Sequence, residues 1–411
     1  MTQYRQILVL SETSRFFGRD VLKGIQQFAQ KQAQTEGAIP WRITLEDHGL
    51  LDKLPVDFDA WNGDAILSCS VSQSMHDAVQ AKKKPFVEVF GDQISFFSEV
   101  TTDEHAIADM AIDYFHSRGF RHLGFYAYGT PWWVTVRRDL FASGALAKGL
   151  SCSVVPDCLA PMQPDLSFPQ WKEGYRISLH NWIKYLPKPI GIWCPLDEQA
   201  IRVIEACNEL GLRVPDQVAV LGTGNDTLLC SVTTPTISSL DINAVQIGYR
   251  AAQLLEEKIQ NYKKTKRLPK ISAKGASKKT PVQVKPNGIE TRVSTDTLAI
   301  DNKECIKALR LIREQYQNDV SAKTIAEQVG VSRSTLDRLF RSLLGHSVEK
   351  EIYRLRIELA EKLLRETDLS VNEVALKTGF DRVEYFVRTF KKLYGDPPQR
   401  FRNRCKVASG E

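Results

Sequence analysis

Arginine forks, hydroxyls and lysines gather in two short windows of this chain. Ser332, Arg333, Ser334, Thr335, Asp337, Arg338 and Arg341 lie within one, and Arg382, Glu384, Tyr385, Arg388, Thr389, Lys391 and Lys392 within the other. A guanidinium can hold two acceptors on one base edge, hydroxyls serve either bases or backbone, and ammonium groups hold phosphate oxygens. Both windows therefore carry donors matched to the acceptors of a nucleic-acid duplex.

The residues just ahead of each window must position it. IAEQVGVSRSTLDRLFRSLLG spans 325–345 and VALKTGFDRVEYFVRTFKKLYG spans 374–395. In each, an alanine stands four residues before a glycine (Ala326 and Gly330; Ala375 and Gly379). An aromatic then stands five residues before a second glycine (Phe340 and Gly345; Phe390 and Gly395). Such an internal echo is a structural unit used twice. Glycine can take the left-handed turn geometry, Ser332 can cap a following helix, and a small alanine lets that helix cross closely. The spacing predicts helix, tight turn, helix in both copies: KTIAEQV then Ser332 to about Leu343, and NEVALKT then 382–394. A helix over 353–366 joins them. Two such reading helices set one DNA turn apart (~34 Å) can enter successive major grooves. Leu336, Leu339, Phe340, Phe386, Phe390 and Leu393 recur at helical spacing and are expected to face inward.

The glycine–aromatic pattern, with the ending FKKLYGDPPQRFR (390–402), resembles the arabinose-regulator (AraC/XylS-type) transcription factors over residues 304–402. The resemblance implies seven helices, two helix-turn-helix units, double-stranded DNA as partner and no catalysis in this part.

Ahead of it, short apolar runs alternate with amphipathic stretches. QILVL (6–10), DAILSC (64–69), PFVEVF (85–90), HLGFYAY (122–128), IGIWC (190–194) and VAVLG (218–222) read as strands. Residues 18–33, 105–119, 198–211 and 247–260 have helical spacing. Alternation of this kind argues for parallel βαβ units in two halves. Residues 261–280 hold eight Lys or Arg and no acid, and read as a mobile basic loop. PVQVKPNGIETRVST (281–295) reads as one more extended segment. The expected organisation is a two-lobed α/β domain of parallel sheets flanked by helices over 1–297, a linker at 298–303, and an all-α double helix-turn-helix domain over 304–411.

TTDEHAIADMAIDYFHSRGFRHLGFYA (101–127) and LDEQAIRVIEACNELGLRVPDQVAVLGTGND (196–226) resemble the sugar-binding halves of lactose-repressor-like regulators and periplasmic sugar-binding proteins. A sugar offers paired hydroxyls, which a planar charged group can grip, and apolar C–H faces, which aromatic rings cover. The resemblance assigns Arg137, four residues before Phe141, as the sugar-gripping arginine, and places Asp197 and Asn225 near the ligand. Trp132 and Trp133 are stacking candidates, with packing the alternative. Ser11, Phe17 and Arg19 are further candidates from the first strand and its exit. Asp103 opens a helix and is a cap or a ligand. The family's acid is missing at Gly224.

Together the likenesses imply a dimeric, sugar-responsive DNA-binding activator of a pentose catabolic operon, with a pentose such as D-xylose as effector. RNA polymerase is a further partner, and no cofactor is implied. The alternative is a front domain that only dimerises or senses a non-sugar ligand.

Other chemistry is poorly served. LGTGND has Thr227 where a dinucleotide loop needs a third glycine, and neither GxxxxGK[ST] nor GxSxG occurs. His116 and His122 lie six residues apart across a helix end, so metal spacing is lacking. The eight cysteines are scattered without a CxxC pair, favouring free thiols in a reducing cytoplasm. No run of eighteen apolar residues suggests a membrane helix. The net charge of +6 is uneven: residues 303–411 hold 22 Lys and Arg against 16 Asp and Glu. That excess on the duplicated part suits a polyanionic partner.

Overall fold

A computed structural model describes residues 4–47, 58–69, 73–89, 99–128, 132–155, 168–265, 281–297, 299 and 302–409. The chain divides into two compact units, Met1–Ala299 and Ile300–Glu411.

The first unit lays down one lobe as β1 (Arg5–Ser11), α1 (Phe16–Gln34), β2 (Trp41–Asp47), β3 (Ala65–Ser68), α2 (Gln73–Ala81), β4 (Phe86–Glu88) and β5 (Val100–Thr102). A second lobe follows: α3 (Glu104–Ser117), β6 (His122–Phe125), α4 (Trp132–Ala147), β7 (Ser151–Val154), α5 (Phe168–Tyr185), β8 (Ile190–Trp193), α6 (Asp197–Glu209), β9 (Val218–Thr223), α7 (Thr227–Val232) and β10 (Ser238–Asp241). The chain returns to the first lobe through α8 (Ala244–Thr265) and β11 (Val282–Val284), then adds β12 (Gly288–Glu290) to the second.

The first sheet is parallel in the order β2-β1-β3-β4, and the second runs β12-β10-β9-β8-β6-β7 with only β12 antiparallel. β11 pairs in parallel with β5. The central strands are buried end to end because helices cover both faces of the sheet: every residue of β8 and β9 is buried. Residues 281–295 therefore hold two short strands in different sheets rather than one extended segment. α1 and α8 cross at glycines. A Cβ on Gly24 would sit 1.9 Å from the Val245 carbonyl oxygen, and one on Gly248 1.9 Å from that of Val21.

Helix α8 runs five residues into the stretch read as a loop, ending at Thr265. Lys263 and Lys264 in its last turn suit the negative end of the helix dipole. Residues 266–280 lie outside the described residues, as do residue 90 of a strand candidate and residues 298, 300 and 301 of the expected linker. Among the described residues no helix is long and apolar enough to cross a membrane, and no group of three or more His, Cys, Asp or Glu could hold a metal ion.

The second unit contains, among the described residues, seven helices: α9 (Lys303–Gln315), α10 (Ala322–Val329), α11 (Arg333–Leu344), α12 (Val348–Glu366), α13 (Val371–Lys377), α14 (Val383–Tyr394) and α15 (Pro398–Ser409). Helix α12 starts five residues earlier than its apolar spacing suggested, because the Ser347 side chain caps it by accepting from Lys350 N. Phe386, Phe390, Phe401, Ala360 and Leu364 form the core of the second half. Leu393 corrects the expectation of an inward face: it is 57% exposed, as its counterpart Leu343 is 44% exposed, each sitting in the last turn beyond the reach of the core.

Candidate ligand cavity and nucleic-acid interface

Within the first unit a cavity of about 110 Å³ opens where the strands of both lobes end. Ser11 ends β1, Cys69 follows β3, Thr223 ends β9, and Pro195 and Leu196 precede α6; this is where ligands of open parallel sheets collect. Phe16 and Phe17 enter from the start of α1, and Trp133 and Arg137 from α4. Four of the expected ligand residues, Ser11, Phe17, Trp133 and Arg137, thus meet at one cavity.

Arg137 is only 2% exposed. Its Nε donates to Glu104 Oε2 at 2.6 Å, one terminal nitrogen to Glu104 Oε1 at 3.2 Å, and the other to the Pro195 carbonyl at 3.2 Å. Thr102 also donates to Glu104. The guanidinium carbon lies 4.7 Å from the centre of the Trp133 ring. A guanidinium has five N–H groups. Three are used here, leaving one on each terminal nitrogen. Glu104, which neutralises the buried charge, was not named from the sequence, since Asp103 beside it offers the same carboxylate at the same helix start. The signal was an acid on either side of a helix start.

The remaining candidates are used elsewhere. Asp103 is a cap: its carboxylate accepts from Ala106 N at 3.0 Å. Asp197 is fully buried and does not line the cavity; it accepts from Ser239 Oγ at 2.5 Å and from Asp226 N at 2.9 Å. Burial pushes its carboxyl up to about 6, against the opposing pull of those hydrogen bonds. Gly222 makes room for it, since a Cβ there would lie 2.2 Å from Asp197 Oδ1. The Asn225 side chain accepts from Arg292 at 2.8 Å. Arg19 donates to the carbonyls of Thr13 and Ser14 and stands 3.6 Å from Asp226. Trp132 is half-buried and lies off the cavity wall.

The departure at Gly224 has a physical partner. Its φ is +124°, and a Cβ there would lie 2.4 Å from the tip of the Phe16 ring. An aromatic from the first lobe fills the space a side chain at 224 would occupy, so the cavity gains an apolar wall. Cys69 beside it is no nucleophile: burial pushes its thiol up to about 12, where it stays protonated.

In the second unit each lead helix is capped by a serine. Ser321 and Thr324 form a reciprocal capping box on α10, and Ser370 and Glu373 form one on α13. Gly330 and Gly379 take the turn at φ +92° and +82°. The reading helices end at Gly345 and Gly395, both left-handed. Arg402 explains the closing motif: it donates to the carbonyls of Leu364 and Leu369, while Phe401 packs edge-on against Phe390 at 5.4 Å.

The side chains expected to contact DNA separate into two groups. Ser334, Arg338, Arg341, Arg382, Glu384, Arg388, Lys391 and Lys392 are exposed. The others have structural duties. Ser332 caps α11 through Thr335 N. Arg333 donates to Glu349 at 2.8 Å. Asp337 accepts from Val348 N at 3.2 Å and so caps α12. Its counterpart in the second copy is Val387, and the counterpart of Val348 is Pro398, which has no N–H to satisfy. Tyr385 packs edge-on against Tyr353 at 5.3 Å, and Thr389 is half-buried.

Comparison with known proteins adds to this geometry. Residues 112–275 match a periplasmic binding protein-like domain, and residues 325–404 a helix-turn-helix domain. The chain is 26% identical to the xylose operon regulatory protein of Escherichia coli K12 across 98% of both chains. It is 32% identical over 124 residues to a helix-turn-helix transcriptional regulator of Pseudoalteromonas carrageenovora, covering 74% of that protein. The solved structure of a xylose-binding transcription activator superposes with a TM-score of 0.61 at 23% identity, covering 98% of both chains, and shares the fold.

Proposed function

Because the chain belongs to the helix-turn-helix transcriptional regulators, we propose that it is a sugar-responsive, sequence-specific DNA-binding regulator of a xylose catabolic operon. The whole-length likeness to a xylose operon regulatory protein supports D-xylose as effector and activation as outcome. The observation that carries the reading is the pair of capped, glycine-turned helix-turn-helix units whose reading helices each expose arginines.

Arg137 grips a hydroxyl pair with its two remaining N–H groups, Trp133 and Phe17 cover the C–H faces, and Ser11 supplies a hydroxyl. A ligand held between the lobes selects their closed arrangement, and it shifts DNA affinity only by its differential affinity for the two arrangements. Arg338 and Arg388 read base edges, and Arg341, Arg382, Lys391 and Lys392 hold phosphates. A homodimer would bring four reading helices to the operator, with RNA polymerase recruited beside it.

Binding-site selection with the full chain tests the DNA half. Arg338→Ala and Arg388→Ala should each cost ~1–3 kcal/mol at one base position. Unchanged sequence preference in both would rule out these reading residues. Calorimetric titration with a panel of pentoses and hexoses tests the sensor half, and no heat with any sugar would favour a front domain that only dimerises.

A further inference from the structure

Each reading helix is rigidly set within its own repeat, yet the two repeats are joined covalently only through α12. Something must fix the angle between them if both are to meet DNA at one spacing. The side chain placed to do so is Arg356, midway along α12 and 7% exposed. Its Nε donates to the Tyr316 carbonyl at 2.6 Å and a terminal nitrogen to the Asn318 carbonyl at 2.8 Å. Those carbonyls belong to the segment between α9 and α10, which leads into the first repeat. The turn of the second repeat meets the same point: a Cβ on Gly379 would lie 2.9 Å from Arg356 Nε and 3.0 Å from the carbonyl oxygens of Gln317 and Tyr316. The guanidinium carbon is also 5.9 Å from the ring centres of both Tyr353 and Phe380.

We propose that Arg356 is a positioning residue for DNA recognition: the joint that locks the first repeat, the connecting helix and the second turn together, and so sets the half-site spacing the protein accepts. This rests on the regulator reading above. A planar fork suits the task because it serves two divergent carbonyls from one buried point, which a lysine ammonium cannot do in the same geometry. Gly379 is its complement, because any side chain there would push the turn off the joint.

The test uses the full chain and duplexes from binding-site selection, carrying both half-sites at native spacing, at spacings changed by one to five base pairs, or with one half-site scrambled. The wild type should bind the native pair roughly a hundredfold tighter than a single half-site, because the second contact is intramolecular. It should also lose most of that gain when the spacing shifts by half a helical turn. Arg356→Lys and Arg356→Met should keep single half-site affinity within about twofold, while the two-site gain falls below roughly tenfold and the spacing optimum flattens. Variants that keep the wild-type spacing profile would overturn the proposal. So would variants whose one-site and two-site affinities fall in step, which is the mark of a merely structural role. If the wild type selects no sequence at all, the regulator reading fails and the joint with it.

Discussion

Arg137 and Glu104 share one buried charge pair, so neither can be removed alone without leaving the other stranded. Arg137→Ala should destabilise the first unit by ~3–5 kcal/mol, whereas the double variant Arg137→Met/Glu104→Gln should cost less than the single one. Both should abolish sugar-dependent stabilisation. Urea unfolding followed by tryptophan fluorescence reports this cleanly, because all seven tryptophans precede residue 194. Asp197 gives a pH signature. Its carboxyl sits at about 6 in the folded chain against an ordinary 3.8. The folded state therefore holds the proton more tightly than the unfolded one between those values. Stability should fall as pH rises from about 4 to about 6, by roughly 3 kcal/mol, and stay level above. Asp197→Asn should flatten that slope; an unaltered slope would assign it to another group. At this scale the sequence was partly legible. Arg137 could be named from family likeness, and Ser11, Phe17 and Trp133 from residue type and position, and these four do meet at one cavity; Asp197 and Asn225, which the likeness also placed near the ligand, do not line it. Asp337 could not be recognised as a cap, because its partner is a backbone N–H eleven residues on and nothing local announces it.

Elements were more legible than side chains, because a helix or a turn is written in neighbouring residues. Gly330, Gly379, Gly345 and Gly395 mark turns and ends by the backbone conformation only glycine adopts easily, and the echo between copies made the assignment redundant. Contacts between elements distant in sequence left no such trace. Gly24 and Gly248 read as ordinary helical residues, yet they set how closely α1 and α8 cross. Gly248→Ala should displace one helix against the other and destabilise the first unit by ~1–3 kcal/mol in the same urea assay; a change within a few tenths would show that the crossing yields. The extension of α8 to Thr265 was hidden for a similar reason, since a run of one-signed charge reads as a loop until the helix beneath it is seen.

At the scale of the whole molecule, a sensor with a buried arginine fork and a unit with two exposed reading helices are useful together only if the ligand of one changes the affinity of the other. The coupling between such sites is typically 1–3 kcal/mol. The most direct measurement is fluorescence anisotropy of the intact chain on its selected two-half-site duplex, titrated with and without saturating D-xylose. A change in affinity of about fivefold or more, lost in the Arg137→Met/Glu104→Gln variant, is the expected result. Identical affinity with and without every pentose tried, on a duplex the protein binds specifically, would contradict it.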